Sequence, residues 1–283
     1  MLGQEPDAAP NQLFALSTIE ALQSPERCAA FKAEAEQRRL PVILALDVAR
    51  LGSNECVLSH RHGDVVFRLD AWGHTTADVT VGTVARFVRT LYTECEGVRW
   101  PIQALVVDEG GLGGPVIDFL NLVPELQGKV IGYHSGKPAN RRKHFKDQRS
   151  ELWFNVATRA KSARPTVAIV AHPKIKRDLA APTYRILPNG QVQVETKEEM
   201  QARMLPSPDY GDSALMTFTL EPIEPPVDVM TDPNRDPNVL EAERLQREHE
   251  RRTRSLAPYP VPAPPPPTPE ADAGEMLGGL GGF

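Results

Sequence analysis

The stretch PVILALDVARLGSNECVL, residues 41–58, constrains this chain more than any other. Six of the seven residues from Val42 to Val48 are apolar, and the exception is Asp47. A run without the polar alternation of a half-exposed strand predicts a strand covered on both faces, hence a sheet with helices packed on either side. It also puts a carboxylate at a buried strand end. Such a charge is costly unless it is hydrogen-bonded or coordinates a cation.

The theme repeats in IQALVVDEGGLGGPVIDFL, where an apolar run ends in Asp108 before a glycine-rich turn. Either acid alone is explained as a cap for a turn or for the following helix. Two such acids, on strands that could be neighbours, are harder to explain that way. A third group follows in LPSPDYGDSALMTF. Ser207 is expected as the N-cap and Pro208 at the first helical position, so Asp209 and Asp212, spaced i, i+3, leave one face of the first turn. Asp209 also suits a helix start by itself, because the helix dipole stabilises an acid there. Ala214, Leu215 and Phe218 are expected to hold this helix on the sheet.

Strand patterns at 41–48, 55–60, 64–70 and 102–108 enclose a helix in TVGTVARFVRTLYTEC. Further on come a strand in KVIGYH, a helix from Asp147 to Lys161, a strand in TVAIV, a hairpin turning on Asn189-Gly190 and a helix from Pro208 to Leu220. A meander followed by alternating helices and strands predicts an α/β fold of RNase H-like order: a mixed five-stranded sheet with helices on both faces and a C-terminal hairpin insertion. A doubly wound dinucleotide fold would alternate from the start.

Three regions follow from composition. Residues 1–40, with a Ser24-Pro25 break, are expected to be a connecting arm, residues 41–221 the compact domain, and residues 222–283 a Pro-rich, largely disordered tail. From Glu221 onward there are 12 acidic and 6 basic side chains, so the formal net charge of −5 belongs to the tail and residues 1–220 carry +1. A near-neutral body leaves room for a basic stripe. Cys28, Cys56 and Cys95 are too scattered for a disulfide framework or a paired-cysteine zinc site. No apolar run reaches the roughly 20 residues of a membrane span, and the N-terminus lacks a signal peptide's pattern, so no membrane association and a cytoplasmic location are expected.

Oxygen-only carboxylate ligands suit Mg²⁺ or Mn²⁺, and two such ions serve in-line displacement at phosphorus. In this order and spacing, LDVARLGSNECVL, VVDEGGLGGPVID, DQRSELWFNV, VETKEEM and SPDYGDSALMTF resemble the nuclease domain of tailed-bacteriophage terminase large subunits. The likeness covers roughly residues 1–220. It implies a two-metal endonuclease that cuts concatemeric double-stranded viral DNA during packaging in the host cytoplasm, with a packaging ATPase, the portal protein and small terminase as partners. Matched residue by residue, Asp47, Asp108 and Asp209 are the metal ligands and catalytic acids, Asp212 an accessory acid, and Lys197 a lysine near the substrate phosphates. Asn54 stands where an acid is common, and Ser213 where alanine is frequent. GYHSGKP lacks the spacing and the Ser or Thr of a phosphate-binding loop, so no ATPase site is expected in this chain: either the family's ATPase is encoded elsewhere or this is an isolated domain.

DNA contact is expected from SGKPANRRKHFKDQRSELW, which carries Lys137, Arg141, Arg142, Lys143, Lys146 and Arg149. A charge run is also simply a solvated face; beside an acidic metal site, phosphate contact becomes the better expectation. No base-reading motif is visible, so little sequence specificity is expected. In the tail, Met276, Leu277, Leu280 and Phe283 form an apolar set that could dock on a partner such as the portal. Two other functions compete: a non-catalytic DNA- or portal-binding module on the same fold, and an actin-like ATPase or sugar kinase. The latter needs a hydroxyl-rich loop after the first strand, and DVARLGSNE has none.

Overall fold

The computed structural model describes residues 11–49, 55–73, 76–92, 100–110 and 113–224. Asn54, the Gly52-Ser53 turn, Cys95 and the tail from 225 onward, with its apolar C-terminal set, lie outside the described residues.

Two helices open the chain, α1 (Leu16–Leu22) and α2 (Pro25–Gln37). The Ser24-Pro25 break is the start of α2: the Ser24 hydroxyl accepts from the Arg27 N–H, and Pro25 takes the first position. Leu13, Phe14, Ile19 and Leu22 are buried in the core.

The meander follows as β1 (Val42–Asp47), β2 (Glu55–His62) and β3 (Val65–Gly73). Its second turn needs Gly63, which has φ of 60° and lies so close to α2 that a Cβ would stand 2.8 Å from the Ala35 Cβ. Then come α3 (Ala77–Tyr92), β4 (Ile102–Asp108), α4 (Gly113–Leu120), β5 (Val130–Tyr133), α5 (Gln148–Lys161), β6 (Ala168–Ile169) and α6 (Pro173–Ala180). The strand order is β5-β4-β1-β2-β3-β6, with β1 antiparallel to β2 and parallel to β4. The expected sheet of five strands is corrected to six. TVAIV docks on the open edge of β3, where the N–H groups of Ala168 and Val170 bond the carbonyls of Asp64 and Val66 at 2.9 and 2.8 Å. Unpaired edge groups recruit such a segment even when only two residues of it are regular.

The chain ends its described part with the hairpin β7 (Tyr184–Ile186) and β8 (Val192–Val194), a separate two-stranded sheet, then α7 (Lys197–Ala202) and α8 (Asp209–Met216). A capping box starts α7: the Thr196 hydroxyl accepts from the Glu199 N–H, and the Glu199 carboxylate from the Thr196 N–H. A short 3₁₀ turn at Thr217–Thr219 follows α8, so the α-helix stops before the expected Leu220.

All six residues of β1 are buried, as the apolar run requires. The pleat divides them: Val42, Leu44 and Leu46 meet α3 and α4 through Val84, Val88, Val116 and Leu120, whereas Ala45 joins Trp153, Ile175 and Leu215 of α5, α6 and α8. Asp47 follows Ala45 by two residues, so it leaves the sheet on the α8 face. Its register partner Val57 belongs to that same cluster.

Candidate active site

Parallel pairing of β1 with β4 brings the two strand-end acids to one edge of the sheet, the crevice where open α/β sheets place their ligands. Asp47 is 4% exposed. Asp108 accepts from the Gly110 N–H at 3.0 Å with Oδ1, so one oxygen does cap its turn, as the simpler explanation had it. Gly113 lets α4 begin against this strand end, where a Cβ would stand 1.7 Å from the Asp108 carbonyl oxygen.

Helix α8 supplies the next two carboxylates. Ser207 is not its N-cap: Pro208 occupies that position without a side-chain cap, and the Ser207 hydroxyl bonds Asp209 Oδ1 instead. The orphan N–H groups of Tyr210 and Gly211 are taken by Asp178 of α6, at 3.0 and 3.2 Å. A cap from a distant helix carries no local sequence signal. Ser213, which also escaped notice as functional, pins α8 to the meander: its hydroxyl lies 3.1 Å from the Ala45 carbonyl oxygen and 2.9 Å from that of Val57.

Lys197, the first residue of α7, gathers these acids. Its Nζ lies 3.1 Å from Asp47 Oδ2, 3.5 Å from Asp212 Oδ2 and 3.6 Å from Asp209 Oδ1. Burial opposes its charge, but Asp47, Asp212, Asp209 and Asp108 outweigh that and raise its pKa. Asp47 is pushed up to about 8, first by burial and then by Asp209, Asp108 and Asp212, with Lys197 opposing. Asp212 goes the other way. Burial alone would raise it, yet Arg149, Lys197 and Trp153 hold it below the usual carboxylate range. Its Oδ1 accepts from Trp153 Nε1 at 2.9 Å and Arg149 Nε at 3.2 Å.

Arg149 is therefore placed differently from the rest of the basic run. It is buried on α5, its guanidinium turned to Asp212 and to the Glu195 carbonyl just ahead of α7. Arg149 and Trp153 stand one helical turn apart on the buried side of α5, and that i, i+4 spacing was the available signal. Arg141 pairs with Glu151 at 2.9 Å and lies over the Phe145 ring. Lys137 pairs with Glu109 at 3.2 Å. Arg142, Lys143 and Lys146 are exposed on the loop before α5.

Among the described residues, no three carboxylate, histidine or cysteine groups are drawn together as ligands of one ion; the Lys197 ammonium holds the central place. The chemistry nevertheless fits. The acids are oxygen donors on a rigid sheet edge and helix turn, burial with the neighbouring acids pushes Asp47 upward, and buried Asp212 Oδ2 has no hydrogen-bond partner. Tyr133, register partner of Asp108, also buries its hydroxyl without one. Oxygen donors of this kind suit a hard cation.

No family model matches the chain, and no curated protein matches it in sequence. Solved structures do match. The nuclease domain of the large terminase subunit gp2 of bacterial virus Sf6 superposes with a TM-score of 0.58 at 15% identity, over 73% of this chain and 97% of that one. A variant of that domain with manganese and beta-thujaplicinol gives 0.60 at the same identity and coverage. The large terminase nuclease from thermophilic phage G20c with bound magnesium gives 0.50 at 13% identity, over 75% of this chain and 99% of that one. With its meander, parallel additions and flanking helices, this chain has the RNase H-like fold of phage large-terminase nuclease domains.

Proposed function

We propose that this chain is a metal-dependent endonuclease that cuts double-stranded viral DNA during genome packaging. The observation that carries the proposal is the convergence of Asp47, Asp209 and Asp212 on one ammonium, at the sheet edge where β4 ends in Asp108. Asp47, Asp108 and Asp209 would hold Mg²⁺ or Mn²⁺, two ions in the full site, with Asp212 as accessory acid. Bound there, the ions would supply Lewis-acid polarisation of the phosphate and an activated water. The solved neighbours with manganese and magnesium support this choice of cation.

The chain's own residues set the conditions. Arg149 and Trp153 keep Asp212 ionised and oriented. Lys197 neutralises the acids, and by leaving them it can meet a substrate phosphate, which is also negative. Exposed Arg142, Lys143 and Lys146 offer phosphate contacts, with half-buried Arg141 at their base and Arg149 serving inside the site. The packaging setting, with an ATPase, portal protein and small terminase in the host cytoplasm, extends the likeness in fold. No described helix is long and apolar enough to cross a membrane.

The test incubates supercoiled plasmid with the protein and Mn²⁺ or Mg²⁺, alongside Asp47→Ala, Asp108→Ala and Asp209→Ala. Cleavage by the wild type alone is expected, and cleavage that persists in all three variants sinks the assignment. One observation favours a second function, a non-catalytic DNA- or portal-binding module: the ammonium already occupies the middle of the carboxylates. It predicts DNA binding without cleavage by the wild type.

A further inference from the structure

A cavity of about 390 Å³ opens beside Asp209, and the functions assigned above leave it unused. Lys174 and Arg177 of α6, Gln201 of α7, Ser207, Tyr210 and Glu55 at the start of β2 line it. None of its cations belongs to the basic run singled out from the sequence. The lining is polar, so an apolar ligand has little to bury against. Lys174 bonds Glu55 Oε2 and the Tyr210 hydroxyl, the latter at 3.1 Å, and its Nζ lies 4.7 Å from the Tyr210 ring centre. Arg177 bonds Asp178 Oδ1 at 2.6 and 2.8 Å.

These two cations are anchored without being used up. Their side chains are 40% and 45% exposed. An ammonium has three donors and a guanidinium five, so each retains N–H groups for an anion that enters. They stand i, i+3 on one helix, so both side chains leave the same side of α6. Gln201 adds a neutral donor, whereas the Ser207 and Tyr210 hydroxyl protons are given to Asp209 and Glu55. Asp209 belongs both to this cavity and to the carboxylate cluster, so an anion held here lies directly beside the group to be cut.

We propose that this cavity is a phosphate subsite for the cleaved strand: Lys174 and Arg177 take a backbone phosphate next to the scissile one, and Glu55 holds Lys174 in place until DNA displaces it. The inference rests on the nuclease function proposed above and adds to it a strand track on the α6 side. Glu55 is a competitor for the ammonium, so it weakens DNA binding while keeping Lys174 oriented.

The experiment measures binding of a short fluorescent DNA duplex to the full chain in EDTA across a salt series, and plasmid cleavage with Mn²⁺ separately. Lys174→Ala and Arg177→Ala should each reduce the slope of log K against log salt by about 1. Each should raise KM about tenfold with far less change in kcat, and Lys174→Arg should restore the slope. Glu55→Gln should tighten binding several-fold. Unchanged slopes in both cation variants overturn the subsite. So does a Glu55→Gln protein that binds as the wild type does but no longer cleaves, because Glu55 would then act on the metal. Wild-type cleavage with unchanged slopes sinks the subsite alone, whereas a wild type that binds DNA with the expected slopes and never cleaves sinks the nuclease function.

Discussion

On the α3 face of the sheet Asp70 sits between Arg68 and His60, and on the α8 face Asp47 sits among Asp209, Asp212 and Lys197. In the first place every charge is matched. Arg68 bonds both Asp70 oxygens at 2.6 and 2.8 Å, His60 Nε2 lies 3.0 Å from Asp70 Oδ2, and His60 Nδ1 lies 2.5 Å from the Tyr92 hydroxyl. Burial alone would raise the Asp70 pKa, but His60 and Arg68 lower it to about 2. In the second place three carboxylates share one ammonium, and Asp47 is pushed up to about 8. Asp70 and Asp47 belong to the same sheet and differ in whether their partners balance. Balanced networks hold a fold together, whereas a surplus of buried negative charge is relieved by a cation or by taking up a proton.

The largest effect that separates the two regions is catalytic. Asp47→Asn should lower metal-dependent cleavage by about a thousandfold or more, as expected when metal ligation worth several kcal/mol is lost. Asp70→Asn should leave cleavage rates in place. Equal losses in a plasmid assay would break the contrast. Next, Trp153→Phe removes one donor from Asp212 and should weaken Mn²⁺ binding about 10- to 100-fold by titration calorimetry. An unchanged affinity would make Asp212 a bystander.

Stability effects are smaller and of opposite sign. Asp70→Asn should cost about 1 kcal/mol in urea unfolding at neutral pH, given that Arg68 is partly exposed. The sign with pH follows from the lowered pKa. The stabilisation is fully present above the unfolded value of 3.8 and is lost as pH falls towards about 2, so the variant should lack that acid-sensitive component. Asp47→Asn should instead stabilise the metal-free protein by about 1 kcal/mol at neutral pH, since folding raises the Asp47 pKa from 3.8 to about 8 and an amide carries no such protonation cost. A destabilised Asp47→Asn protein would show that the pair with Lys197 outweighs the repulsion.

Much of the fold was legible because it depends on local period. The unbroken apolar run in β1 required cover on both faces, and α3 and α4 on one side with α5, α6 and α8 on the other provide it. Asn189-Gly190 marked its hairpin, where Gly190 has φ of 81°. The sixth strand was not legible as part of the sheet, because two residues on an open edge have no period. The strand-end acids were visible by position. The partners of the other site residues were not: Arg149 read as one of the phosphate contacts of the basic run, although its turn-mate Trp153 shares its face, and Lys197, expected near phosphates, meets the acids directly.

The sequence by itself determined which segments are buried and where their carboxylates stop, since strand and helix periods and the cost of burying charge act over a few residues. Only the tertiary structure decided which cation meets which acid. Asp178 reaches α8 from α6, Arg149 reaches Asp212 across 63 positions, and Lys197 reaches Asp47 across 150. Those pairings follow from how the helices settle on the sheet and from the need to neutralise each buried charge with whatever packing brings near, which no stretch of chain encodes alone.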